Sequence, residues 1–207
     1  MRLAILGASG HGKVVADMAL LLGYTGVIFF DDAWLSNSSV SRWSAIGTTE
    51  TLLASVANFD AVIVGIGDNR TRLEKQALLA ANGAPLVSLV HPAAAVSNFA
   101  QIGEGSVIFA GAVVNVDAVL SAAVIVNTGA TIDHDCRLAD GAHIAPGAHL
   151  SGDVHVGASS WVGVGACVKQ GVHIGSGVMV GAGAVVVSNI PDGVTVVGNP
   201  ARPIAGK

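Results

Sequence analysis

Residues 96–137 read VSNFAQ-IGEGSV-IFAGAV-VNVDAV-LSAAVI-VNTGAT-IDHDCR, seven lines of six that each open on Val, Ile or Leu. The register continues without a gap: Val96, Ile102, Ile108, Val114, Leu120, Val126, Ile132, Leu138, Ile144, Leu150, Val156, Val162, Val168, Ile174, Val180 and Val186 are spaced by six. Four places after each stands a smaller residue, from Ala100 to Ala184, and Gly is common one and three places after. Neither an amphipathic helix nor a flat strand repeats every six residues. Six is the period of a hexapeptide β-helix. Each hexad then makes one short wall and one corner, with the large and the small residue both pointing into a narrow bore. Gly at corners supplies backbone angles that other residues resist. Three walls close a coil, residues 18 apart stack, and sixteen hexads predict about five coils. The uninterrupted repeat leaves no room for a long inserted loop, so a large substrate would have to be held mainly by the segment upstream.

That segment alternates strand and helix. Apolar runs at Leu3 to Leu6, Val27 to Phe30, Ala61 to Val64 and Leu86 to Val90 read as strands. Lys13 to Leu22 and Arg72 to Ala81 read as helices. Alternation of this kind predicts βαβ units on a parallel sheet. The expected organisation is a Rossmann-like domain over 1–90, a β-helix over 94–190 and a tail over 191–207. Composition narrows the rest. Of 207 residues only 12% are charged, the net charge is -4 and no basic run occurs. Nucleic acid and anionic membranes are therefore not expected partners. No apolar stretch reaches the length of a membrane span. Met1-Arg2-Leu3 runs straight into a strand, and a cytoplasmic protein is expected. Two cysteines make neither a disulfide framework nor a four-cysteine zinc site.

Three motifs carry chemistry. Gly7-Ala8-Ser9-Gly10-His11-Gly12 joins the first strand to the first helix, a turn type that lets backbone N–H groups approach an anion. Its spacing is not that of the dinucleotide fingerprint. Asp31-Asp32 and Gly65-Ile66-Gly67 end the neighbouring strands, where ligands of open α/β sheets gather. In the repeat, His134 stands two places after inward Ile132, so it lies at a corner and points out, between Asp133 and Asp135. A carboxylate beside an imidazole fixes its tautomer and raises its basicity, as a general base requires. His143, His149, His155 and His173 all sit five places after an inward residue, and His155 and His173 should stack. A metal site needs three ligands at one point, and these spacings spread the histidines over different walls or coils, so no metal is expected unless a neighbouring subunit completes a site. Cys136 occupies a small inward position, a poor place for a nucleophile. Val197-Gly198-Asn199-Pro200-Ala201-Arg202-Pro203 reads as a cap over the last coil.

With these residues in place, the chain resembles hexapeptide-repeat sugar acetyltransferases, specifically the acetyl-CoA-dependent N-acetyltransferases of nucleotide-linked 4-amino sugars of the bacillosamine type. Sialic-acid O-acetyltransferases share the architecture. The resemblance rests on the Gly-Ala-Ser-Gly-His-Gly turn, the Asp31-Asp32 strand end, the hexads, the Ile-x-His-Asp-Cys segment and the Gly-Asn-Pro-Ala-Arg tail. It implies a left-handed β-helix, a homotrimer with sites between neighbours, and direct acetyl transfer without a metal. It also implies that His134 is the general base with Asp135 as its acidic neighbour. His143 would lie near the thioester, Gly152 would be a backbone donor, and Val164 and Ala182 would line the coenzyme A arm. Ser9, Gly10, His11, Asp31, Asp32 and Gly67 would form the nucleotide-sugar pocket, with UDP the expected nucleotide. The alternatives are O-acetylation of a sialic acid or other sugar hydroxyl and, more remotely, a prism-fold metal hydratase or a non-catalytic scaffold.

Overall fold

The computed structural model describes residues 1–33, 39–40 and 43–204. The chain divides into two compact units, Met1–Leu89 and Val90–Lys207.

In the first unit β1 (Arg2–Leu6) leads to α1 (Gly10–Leu21) and β2 (Gly26–Phe30). An antiparallel pair, β3 (Ser39–Val40) and β4 (Trp43–Ser44), follows, then α2 (Thr49–Ser55), β5 (Ala61–Val64) and α3 (Asn69–Ala81). The sheet has the order β2-β1-β5 and is parallel throughout, with Leu3 paired to both Val27 and Ala61. Leu3–Leu6 and Ala61–Val64 are buried end to end, as befits parallel strands covered on both faces. Helix α1 starts three residues before the predicted Lys13, inside the glycine-rich turn, because Ser9 takes the N-cap position and Gly10 is already helical. The low helix propensity of Gly hides such a start. The predicted strand at Leu86 to Val90 is split. Leu86 makes an isolated bridge to Val62, and Leu89–Val90 adds to a wall of the repeat.

The second unit is a parallel β-solenoid with three walls. Wall 1 stacks six strands: Ala95–Val96, Val113–Val114, Thr131–Ile132, His149–Leu150, Cys167–Val168 and Val185–Val186. Wall 2 stacks Gln101–Ile102, Val119–Leu120, Arg137–Leu138, His155–Val156 and His173–Ile174. Wall 3 stacks Val107–Ile108, Ile125–Val126, His143–Ile144, Trp161–Val162 and Met179–Val180. Register within the hexads is 18 throughout, as in Val113 with Thr131 and His155 with His173. Wall 3 is extended by Leu89–Val90 at one end and by Thr195–Val197 and Arg202–Pro203 at the other, so the stack has about six turns rather than five. Arg202–Pro203 pairs antiparallel with the preceding strand, so the tail, as far as residue 204, completes a wall; 205–207 lie outside the described residues.

The bore is filled as the period requires. From Ile108 to Val186 every large inward residue is at most 3% exposed, and so is every small one from Ser106 to Ala184. Where the small residue is polar it is satisfied. Ser106 Oγ donates to the Ser121 carbonyl and accepts from the Val124 N–H, and Ser160 does the same with Gly175 and Val178. Cys136 Sγ takes the equivalent contact to the Ser151 carbonyl at 3.2 Å. Corners repeat as strictly. Every sixth residue from Gly105 to Gly183 has a φ between 56° and 72°. Nine of these fourteen are Gly, and Asp117, Ala123, Asp135, Asp153 and Ser159 hold the same left-handed conformation at some steric cost.

Candidate active site

His134 stands at the corner between walls 1 and 2, where Thr131–Ile132 passes to Arg137–Leu138. Its Nδ1 lies 2.7 Å from Asp135 Oδ2, and its backbone N–H donates to Asp133 Oδ1 at 2.8 Å. Asp133 Oδ1 also accepts from Asn115 Nδ2 at 2.9 Å, from one coil earlier. The imidazole is about half exposed (47%), so it is open to a ligand. The Asp135 hydrogen bond, aided by the charges of Asp133, Asp135 and Asp153 against a smaller opposing effect of burial, raises its pKa above the ordinary imidazole value. With Nδ1–H donated to Asp135, Nε2 is left with its lone pair to take a proton. Asp135 holds this contact from the repeat's regular left-handed corner position, at φ 62°. Cys136, next along, is buried in the bore, and burial pushes its thiol pKa up to about 11, which keeps it inert.

A groove of about 250 Å³ adjoins this corner on wall 1, lined by Asn115, Thr131, Asp133, His149 and Ser151 among others. Thr131 Oγ1 meets His149 Nδ1 at 2.9 Å, again across one coil.

His143 is elsewhere. It lies on wall 3, 3% exposed, with its ring 3.9 Å from that of Trp161 and Nε2 3.1 Å from Asn127 Nδ2. Asn127 belongs to the corner between walls 3 and 1, and so do Val164 and Ala182, both exposed and in one register as expected. In a three-walled coil the corner between walls 1 and 2 faces away from wall 3. His134 and the group His143, Asn127, Val164 and Ala182 are therefore not brought together within one chain. Gly152 is: it stands one coil beyond His134 at the same corner, against the imidazole. His155 and His173 stack on wall 2 with ring centroids 4.3 Å apart. Among the described residues no three His, Cys, Asp or Glu side chains group so as to hold a metal ion.

In the N-terminal unit the parallel strands bring Ser9, Gly10, His11, Asp31, Asp32 and Gly67 to one edge, beyond the carboxyl ends of β1, β2 and β5. The glycines there divide into two kinds. A Cβ on Gly7 would stand 2.6 Å from Ile66, on Gly12 would run into the Gly7 carbonyl oxygen, and on Gly65 would stand 2.7 Å from Ile5, so those three serve close packing. Among the described residues a Cβ on Gly10 would meet nothing within 4 Å, and one on Gly67 only the His11 Cβ, at 3.9 Å. Those two leave open space at the edge. The carboxylates expected to face a ligand are already engaged. Asp31 accepts from the Ala8 N–H at 2.7 Å and the Ala33 N–H at 2.8 Å, tying β2 to the glycine-rich turn. Asp32 accepts from the Thr49 N–H at the start of α2 and pairs with Lys75. Burial alone would raise the Asp32 pKa, but Lys75 and Thr49 outweigh it and hold it at about 2.

Sequence reasoning overlooked Arg72. It is fully buried, donating to the carbonyls of Ile66 and Gly67 and to Asn69 Oδ1, which fixes the turn after β5. Burial lowers its pKa to about 10, so it stays charged at neutral pH. Burial, with the Arg72 charge added, lowers His11 to about 4 and keeps that imidazole neutral.

Comparison with known proteins agrees with both halves. Residues 2–78 match the family model of the PglD N-terminal domain. The acetyltransferase domain of PglB from Neisseria gonorrhoeae FA1090, solved with acetyl coenzyme A, is 50% identical, with 98% of each chain covered and a TM-score of 0.94. The chain belongs to the PglD-type hexapeptide-repeat sugar N-acetyltransferases. PerB from Caulobacter crescentus, solved with CoA and GDP-perosamine, is 36% identical, with 99% of this chain and 98% of that one covered and a TM-score of 0.93. The UDP-N-acetylbacillosamine N-acetyltransferase of Bacillus subtilis (strain 168) is 36% identical over 113 residues, 52% of this chain and 50% of that protein. The match thus spans about half the length of that curated relative. Among the contact partners of Asp133 and His143, those to which sequence reasoning gave no role are Asn115, Asn127 and Trp161. The 18-residue register points to Asn115, which stands one coil before Asp133, and to Trp161, one coil after His143. The Asn127 contact spans 16 residues and has no such signal.

Proposed function

We propose that this chain transfers the acetyl group of acetyl-CoA to the 4-amino group of a UDP-linked amino-dideoxy sugar. The observation that carries the reading is the exposed His134, bonded to Asp135 through Nδ1 and free at Nε2, in a chain half identical to a domain solved with acetyl coenzyme A. The sugar nitrogen attacks the thioester carbonyl, and His134 Nε2 takes the proton that the nitrogen sheds as the C–N bond forms. The C–S bond then breaks, and the thiolate leaves to be protonated as free coenzyme A. A backbone N–H, that of Gly152, stabilises the oxyanion. The rest of the rate gain comes from holding two substrates in line.

The N-terminal unit binds the nucleotide sugar, with Ser9, Gly10, His11 and Gly67 as contacts and Asp31 and Asp32 shaping the edge. His11 serves there as a neutral hydrogen-bonding group. The solenoid holds acetyl-CoA along Val164 and Ala182 near His143. Since His134 faces away from wall 3, a homotrimer supplies the complete site, one copy giving the base and its neighbour the coenzyme surface. No metal takes part. Acetyl-CoA is an intracellular metabolite, which supports a cytoplasmic setting; no described helix is long and apolar enough to cross a membrane. The test is acetyl-CoA turnover over UDP- and GDP-linked 4-amino sugars and over sialic acid, with products identified by mass spectrometry. N-acetylation of the UDP-linked amine is the expected result, and acetylation of sialic acid hydroxyls alone would overturn the reading.

A further inference from the structure

The position two places after each inward aliphatic residue is a corner position that tolerates many side chains. Along the chain it holds Asn98, Glu104, Ala110, Val116, Ala122, Thr128, His134, Asp140, Pro146, Gly152, Ala158, Val164, Gln170, Ser176, Ala182 and Ser188. Only one of the sixteen is Gly. The backbone does not demand it: Gly152 is absent from the residues with positive φ, which are the next ones along each corner. The coil-to-coil stacking does not demand it either. A Cβ built on Gly152 has as its three nearest atoms Cε1 and Nε2 of His134 at 2.5 Å and Nδ1 of His134 at 3.1 Å. Every one belongs to the imidazole one coil away. His134 lies across the bare backbone of Gly152, in the space where a side chain would begin.

That contact fixes more than packing. The ring is also held by Asp135, through Nδ1 at 2.7 Å. A methyl group on Gly152 would push the ring off the backbone. The exposed ring yields by turning its χ angles, and that moves Nδ1 relative to Asp135. We infer that Gly152 is a positioning residue for His134: the missing side chain lets the imidazole lie flat across the corner, bonded to Asp135, with Nε2 directed toward substrate. The inference rests on the reading of His134 as the base. It assigns Gly152 a task separate from the backbone donor role, since an alanine there keeps its N–H.

The test is Gly152→Ala in the full chain, read by steady-state kinetics and by NMR titration of labelled histidine. Displacement of a catalytic group by about an ångström costs up to about a hundredfold. The expected result is a kcat lowered about tenfold to a hundredfold, with the KM for nucleotide sugar changed by less than about twofold. The His134 pKa falls as well, because the contact with Asp135 that raises it is lost. Thermal melts give an independent reading: Gly152→Ala lowers Tm in the wild-type background and leaves it unchanged when His134 is also Ala. Unchanged kcat and an unchanged His134 titration would overturn the inference. So would a defect confined to the KM for acetyl-CoA with His134 titrating normally, which would make the methyl an obstacle to the thioester. A His134→Ala enzyme with normal turnover would sink the base reading instead, and the titration shift in Gly152→Ala is measured independently of it.

Discussion

Arg72 and His134 mark the two ways in which this molecule uses a basic side chain. Arg72 is fully buried in the N-terminal unit and is consumed by the carbonyls of Ile66 and Gly67 and by Asn69. His134 stands half exposed at a solenoid corner, held by one carboxylate on one nitrogen. The edge of the N-terminal sheet shares the engagement though not the burial, with Asp31 and Asp32 taken up by backbone N–H groups and Lys75, and open space left among the described residues at Gly10 and Gly67. Such an edge has its polar groups tied down and space beside them, which is the arrangement the proposed binding role uses. The solenoid corner keeps a titratable nitrogen available, which chemistry requires. The difference teaches that in this chain the engagement of a charged group's bonding atoms, more than its type, separates scaffold from reagent: Asp32 is about as exposed as His134 yet is taken up by Thr49 and Lys75.

The largest expected effect breaks the contrast between the inner and outer faces of the solenoid itself. Ile132 is fully buried in the bore, and Ile132→Ala should cost about 2–5 kcal/mol in denaturant unfolding. Its outward neighbour in the next coil, His149, is exposed, and His149→Ala should change stability by less than about 0.5 kcal/mol. Equal losses would mean that the period of six does not set which side chains carry the fold.

Next in size is the acid behaviour of the N-terminal unit. His11 has a folded pKa of about 4 against an ordinary 6.5, so the unfolded chain binds the proton first. Stability contributed by neutral His11 is complete above about pH 6.5 and is lost as pH falls toward 4. Replacing His11 by Gln should flatten this part of the stability–pH curve, measured by thermal melts across that range. A curve unchanged by the substitution would remove His11 from the burial account.

The corner gives the opposite sign. His134 has its pKa raised, first by Asp135, so kcat should rise with pH through a limb lying above the ordinary imidazole value of about 6.5. Asp135→Asn removes the acceptor charge, lowers the pKa of His134 and moves that limb to lower pH. A limb that stays in place in the variant would separate Asp135 from the titrating group.

Most of the solenoid is legible in the sequence because a six-residue period fixes the direction of every side chain before any contact is known. Ile132 inward, Cys136 inward, His134 outward, and His155 stacked on His173 all follow from register alone. The extra turn is not, since Leu89–Val90, Thr195–Val197 and Arg202–Pro203 lie outside the hexads and join wall 3 by tertiary pairing. The separation of His134 from His143 also follows from counting walls, though the burial of His143 against Trp161 does not. In the N-terminal unit the strands are legible from apolar runs, whereas α2 (Thr49–Ser55) is too short to show a period. The roles of its polar residues depend on distant partners. Asp32 with Lys75 is 43 residues apart and Asp31 with Ala8 is 23, and no local pattern announces either. The motif Gly7 to Gly12 reads as one ligand turn, yet of its three glycines only Gly10 has open space about it among the described residues.

The central claim is that the solenoid corner performs the transfer and the N-terminal edge only binds. Steady-state kinetics of His134→Ala and Gly10→Leu, measured side by side with acetyl-CoA and the UDP-linked 4-amino sugar, test it most directly. His134→Ala should lower kcat about a hundredfold to ten-thousandfold while leaving the KM for nucleotide sugar nearly unchanged. Gly10→Leu starts its side chain in open space, since a Cβ there meets no described residue within 4 Å, so it should raise the KM for nucleotide sugar about tenfold or more, with kcat and the KM for acetyl-CoA preserved. Normal kcat in His134→Ala, or a Gly10→Leu enzyme whose KM rises for acetyl-CoA instead, would contradict the account.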